Sequence, residues 1–183
     1  MVMDIGQERL LADRIIDRDR SAMKQVYDMY APVLMPIALR YLPNMPDAED
    51  LLQETFITAF RKIDKFEARK DGSLLAWLKT IMINKAISQF RKNRHRKTVL
   101  LSDDLGLIED DTEPDFTSVP PEMIQTAIYS LPDGCRTVLN LYVYEGKSHR
   151  EIGQLLGITE GTSASQLHRA KQLLFRVLKK YVQ

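Results

Sequence analysis

Between Ser148 and Leu174 the chain sets side chains able to read a DNA base edge at helical spacing, just past a sharp turn. Gln166 can pair with adenine and Arg169 with guanine through two hydrogen bonds each. Ser163, Ser165 and His168 add permissive donors and acceptors on the same stretch. The turn is Leu156-Gly157-Ile158-Thr159, where glycine allows the reversal and Ile158 plugs the angle between two helices. Ser148-His149-Arg150-Glu151 opens the first of those helices as a capping box, and Thr159 caps the second. This is the helix-turn-helix pattern, whose second helix enters the major groove. Taken as helices alone, the same residues also fit an ordinary helical hairpin.

A second group lies upstream. From Asn84 to Lys97 there are six Lys or Arg and no acid, with Trp77 and Phe90 on the same predicted helix and Phe66 ahead of the adjoining loop. Cations beside aromatics suit tracking of a single strand, with phosphates held and bases stacked; Trp77 is read first as core. Asn84 interrupts an apolar stretch, and because an unpaired buried amide is costly, an exposed place is expected for it. The opposite charge follows directly: Ser102 to Asp115 holds seven Asp or Glu and no Lys or Arg. The formal net charge of +1 therefore conceals a sorting that concerns polyanionic partners.

Other chemistry is missing from the pattern. There is no Gly-rich phosphate loop, no His/Cys spacing for a metal and no nucleophile-base pair, so no catalytic, cofactor-binding or metal residue is assigned. Cys135 is the single cysteine, which excludes an internal disulfide and fits a reducing compartment. The amino terminus is polar, and the longest apolar stretch, Leu74 to Phe90, is broken by Lys79, Asn84, Lys85 and Gln89. A cytoplasmic protein without membrane insertion is expected.

The elements that must position these groups read as helices throughout, since no alternating strand pattern of useful length occurs. Apolar stripes mark helices over Gln7–Asp17, from Ser21 to Tyr41 with a bend or break at Pro32, and over Asp47–Ile63. A polar loop, Glu67–Gly72, precedes a helix from Ser73 to Lys97. Pro121–Ser130 and Pro132–Tyr144 each start with proline near the first turn, and the last helix runs from Thr159 to Val182. The fold expected is all-α: a helical domain over 1–97, an acidic linker over 98–119 and a helix-turn-helix domain over 120–183.

Asp47-Ala48-Glu49-Asp50-Leu51-Leu52-Gln53-Glu54-Thr55-Phe56, Phe66, Trp77-Leu78, Asn84 and Ala86, in that order, closely resemble the polymerase-binding and promoter-melting domain of sigma-70-family factors. Leu131-Pro132, Tyr144-Glu145-Gly146 and Gly161-Thr162 through Ser165-Gln166-Leu167-His168-Arg169-Ala170 resemble that family's second promoter-reading domain. With only these two domains, the chain is similar to the extracytoplasmic-function group. The resemblance implies an initiation factor, not an enzyme. It implies docking on core RNA polymerase through Asp50, Leu51, Gln53 and Glu54, and minus-ten recognition and melting through Phe66, Asn84, Arg91 and Lys92. Minus-thirty-five recognition would fall to Arg150, Ser163, Ser165, Gln166, His168 and Arg169. The partners implied are core polymerase, promoter DNA in duplex and melted form, and an anti-sigma factor. Ala164 and Gln166 stand where the family often carries a cation, and the Glu67–Gly72 loop is slightly longer than is typical. A stand-alone helix-turn-helix repressor shares the carboxy-terminal pattern; the first domain, which suits docking instead of ligand binding or dimerisation, separates the two.

Overall fold

The computed structural model describes residues 3–96 and 119–181. Lys97, most of the acidic stretch and the side chains of Arg94, His95 and Arg96 lie outside the described residues. Eight α-helices and no strand occur among those described, and the chain divides by packing into two compact units, residues 1–86 and 87–183.

In the first unit, α1 (Ile5–Ile16) starts two residues earlier than the stripe from Gln7 suggests, because the Asp4 carboxylate accepts from the amides of Gly6 and Gln7. The helix α2 (Arg20–Tyr41) is capped by Asp19, whose carboxylate accepts from Ser21 and Ala22 and pairs with Arg14 at 2.7 Å. That arginine bond, first, and the two amides hold the Asp19 carboxyl below its usual 3.8.

Pro32 does not break α2, which runs uninterrupted through both Pro32 and Pro36. Each proline removes one backbone bond, a penalty of about 3 kcal/mol in a helix interior. Both sit on the exposed side, where water can satisfy the freed carbonyls. The opposite face buries Val26, Tyr30, Leu34, Ile37, Ala38 and Tyr41, and this packing keeps the helix continuous through the defects.

Asn44 caps α3 (Met45–Arg61) by accepting from Asp47 N, and Pro46 occupies the first turn. Its stripe of Ala48, Leu51, Leu52, Thr55, Phe56 and Ala59 is buried, and Thr55 returns its hydroxyl to Leu51 O at 2.7 Å. A 3-10 turn, Ile63–Lys65, leads into the polar loop, and α4 (Ser73–Arg96) follows. Leu74, Leu78, Met82 and Ala86 bring one face of α4 into the same core.

In the second unit, α5 (Pro121–Tyr129) and α6 (Asp133–Leu139) precede a π-helical turn, Asn140–Tyr144. The helical run expected over Pro132–Tyr144 is continuous, but its last five residues widen from α to π. The helices α7 (His149–Leu156) and α8 (Glu160–Leu178) complete the unit. Val119, which composition puts in the linker, is buried with Ala127 and Leu178. Arg136 is also buried: it donates to the carbonyls of Tyr129 and Leu131 and pairs with Asp133 at 2.7 Å, tying the end of α5 to the start of α6.

Candidate nucleic-acid interface

The helix-turn-helix is built from its caps upward. Ser148 accepts from Glu151 N while the Glu151 carboxylate accepts from Ser148 N at 2.8 Å, so both halves of the capping box are present. The Ser148 amide and then its hydroxyl hold the Glu151 carboxyl below the usual 4.5. Gly157 ends α7 with φ of 67°, the left-handed conformation that favours glycine. Thr159 accepts from Thr162 N and starts α8.

A further requirement was hidden in Gly153. A Cβ there would meet Ile158 O at 2.9 Å, with Thr159 C and Glu160 N also close. The backbone of the turn crosses directly over Gly153, so α7 and α8 approach only because no side chain intervenes.

This close packing decides which residues of α8 face outward. Gly161, Ala164, Ser165, His168 and Lys171 are exposed, at the three- and four-residue steps of one helix face. Ser165 and His168 are therefore presented as expected, and His168 shares a 3.0 Å bond with Gln172. Ser163 is not. It is fully buried and shares a 3.0 Å hydrogen bond with His149 Nδ1, while Tyr142 stacks on the His149 ring at 4.8 Å.

Gln166 is half-buried over the start of α6, where its Oε1 stands 2.3 Å from the place a Gly134 Cβ would take. Arg169 is half-buried as well, and its charge acts on Cys135, whose thiol burial pushes above the usual range. Ser163, Gln166 and Arg169 were expected on the open face because they are polar. Their spacing instead puts them along or beside the inward stripe of Leu167 and Ala170. Arg150, in the first turn of α7, is exposed.

In the first unit the face of α3 opposite the core shows Glu49, Asp50, Gln53, Glu54 and Ile57. Glu54 is engaged by Lys85 of α4 at 3.2 Å. Leu51, expected in the docking set, is only 3% exposed and belongs to the core, so its side chain is not offered to a partner. Asp50 and Gln53 are. Phe66 packs half-buried against Trp77, ring centroids 5.4 Å apart, which supports a structural role for the tryptophan. Asn84 is exposed, and so is Lys92. Arg91 is exposed but donates to the carbonyls of Gln154 and Leu155 at the end of α7, within the second unit as packing divides the chain. No group of three or more metal-ligating side chains occurs among the described residues, and none of their helices is long and apolar enough to cross a membrane.

Two family models match the chain: sigma-70 region 2 over residues 26–96 and sigma-70 region 4 over residues 122–174. Helix α1 precedes the first match. The ECF RNA polymerase sigma factor SigW of Bacillus subtilis (strain 168) is 31% identical over 172 residues, covering 88% of this chain and 91% of that one. SigL of Mycobacterium tuberculosis (strain ATCC 25618 / H37Rv), another ECF RNA polymerase sigma factor, is 32% identical over 157 residues, covering 85% and 88%. Among solved structures, the sigma factor RpoE in complex with the anti-sigma factor NepR from Bartonella quintana is 26% identical with a TM-score of 0.49, covering 85% of this chain and 96% of that one. The helix-turn-helix unit, the helical first unit and a likeness that spans both place the chain in the sigma-70 family, among the extracytoplasmic-function RNA polymerase sigma factors.

Proposed function

We propose that the chain divides its work as initiation factor among three surfaces: α3 docks on core RNA polymerase, the Phe66–Gly72 loop with α4 captures the melted minus-ten strand, and α8 reads the minus-thirty-five element. The functional domains are residues 1–97 and 120–183, joined by the acidic stretch. The observation that carries the reading is the opposite chemistry of the outward face of α3 and those of α4 and α8. Carboxylates and amides line α3, whereas Asn84 and Lys92 of α4 and His168 and Lys171 of α8 offer donors and cations.

The docking set is Asp50 and Gln53 with Glu54. Strand capture falls to Asn84 and Lys92, with Phe66 shaping the loop through Trp77. In the upstream element, Ser165 and His168 face the bases, Lys171 and Arg150 the phosphates. An anti-sigma factor would silence the chain by covering one of these surfaces in the cytoplasm.

The direct test is transcription from a mapped promoter by core polymerase with and without the chain. In the same assay Asn84→Ala should slow open-complex formation on duplex promoter roughly tenfold, and much less on a template mismatched around the start site. Equal losses on both templates would show a folding or docking defect and would remove Asn84 from the strand-capture set.

The burial pattern of α8 makes a second expectation. His168→Ala should shift base preference at one or two upstream positions, by about 1–3 kcal/mol per position. Lys171→Ala should weaken all sequences alike and flatten the salt dependence. Arg169→Ala should instead lower the melting temperature of the second unit, because its side chain lies against α6. Transcription of a randomised upstream element, together with thermal unfolding, distinguishes these outcomes. An altered base preference with unchanged stability for Arg169→Ala would restore it as a reader and move α8 in the groove.

A further inference from the structure

We infer that residues 3–9 are a positioning element for the minus-ten loop and the first turn of α4, with Glu8 as the anchor; this rests on the proposed role of that loop in strand capture. The segment reaches across the unit to residues about 60 positions away in sequence. Gly72 N donates to Met3 O at 3.1 Å. Ile5 N donates to the Asp71 carboxylate at 2.9 Å. Leu74 N donates to Glu8 Oε1 at 3.0 Å, and Arg9 reaches Ala68 O at 3.4 Å. Both ends of the loop, at Ala68 and at Asp71-Gly72, are thereby held from outside it, and Met3 and Leu74 are buried on either side of the seam.

Glu8 is the informative residue. It is a carboxyl with no exposed surface, in the first turn of an otherwise ordinary amphipathic helix. Burying such a group costs several kcal/mol unless hydrogen bonds compensate. Part of the compensation comes from the open Leu74 amide at the start of α4, which donates to Oε1; burial is the larger effect and pushes the Glu8 carboxyl above its usual 4.5.

A serine or aspartate at the start of α4 would cap that helix locally. The Ser73 hydroxyl is occupied instead within the loop, accepting from Arg69 N and Lys70 N and donating to Lys70 O. The cap of α4 is therefore supplied by another helix. The position of the loop then depends on α1, and loosening α1 lets the loop wander while leaving the outward face of α3 in place.

Glu8 is a positioning residue, and the experiment separates that role from general stability. Holoenzyme is assembled with full-length Glu8→Ala, Glu8→Gln, Asp71→Ala and Asn84→Ala, and opening is timed on a duplex promoter. Core-polymerase affinity and the emission of Trp77, the single tryptophan, are measured alongside. Asp71→Ala, an exposed change, and Glu8→Ala should each slow opening by roughly fivefold or more and shift Trp77 emission to the red, with core affinity within about twofold. Glu8→Gln keeps an acceptor for Leu74 N and should restore both readouts.

Should Glu8→Ala fail to fold, the Asp71→Ala and Glu8→Gln arms still decide. Normal opening in Asp71→Ala, or Glu8→Gln as slow as alanine with unchanged Trp77 emission, overturns the inference. If Asn84→Ala opens normally as well, the strand-capture reading itself falls. If Asn84→Ala is slow while Asp71→Ala and Glu8→Ala are normal, only the positioning role is lost.

Discussion

Exchanging Asp50 and Gln53 together for lysine should reduce affinity for core RNA polymerase by about 100-fold, equivalent to roughly 2.7 kcal/mol, with helical circular dichroism and melting temperature unchanged. The two side chains lie on the outward face of α3, three residues apart, so they project side by side. Placing two cations on a surface built of carboxylates and amides turns attraction for a basic partner into like-charge repulsion, which costs several kcal/mol at an interface. Glu54 is left alone because it is paired with Lys85, and reversing its charge would disturb α4 as well as docking. Leu51→Ala is the contrasting variant. Its side chain is in the core, so truncation should cost about 2–5 kcal/mol of stability and lower polymerase binding only through loss of fold. A fluorescence titration of labelled chain with core enzyme decides the matter; undiminished affinity in the double lysine variant would mean that another face docks.

The second large effect should follow from a single methyl group. Gly153→Ala puts a Cβ 2.9 Å from Ile158 O, a backbone atom fixed by the cap of α7 and the start of α8. A flexible side chain could swing away, but a turn held at both ends cannot, so α7 and α8 must separate. Overpacking of this kind costs about 1–3 kcal/mol, and the separation also tilts α8 relative to α7. Transcription from promoters that need the upstream element should fall about tenfold or more, while opening of a promoter with a strong minus-ten element alone is retained. Thermal unfolding and footprinting over the upstream element are the measurements. An unchanged footprint and unchanged melting temperature would show that the turn yields without consequence.

Helix order, the capping box at Ser148, the caps at Gly157 and Thr159, the exposed place of Asn84 and the family itself were all legible from residue types and spacing. Each depends on interactions within a few residues, or on a motif order that the chain carries in full. Pro32 misled because local rules register the missing hydrogen bond and not the buried face of Val26, Tyr30, Leu34 and Ile37 that compensates for it. On α8, polarity does not mean exposure: Ser163, Gln166 and Arg169 are hydrophilic, yet the contacts with α7 and α6 fix which side of the helix is open.

The sequence by itself therefore determined the order of the helices, the caps of the helix-turn-helix, how charge is sorted and which family of initiation factors the chain joins, because those follow from short-range propensity and ordered motifs. Only the tertiary structure decided that Ser163 is buried against His149, that Gly153 must lack a side chain, and that Glu8 caps a helix beginning 65 residues later. These depend on which surfaces meet across the fold, and a contact between distant segments leaves no mark in the local pattern of either one.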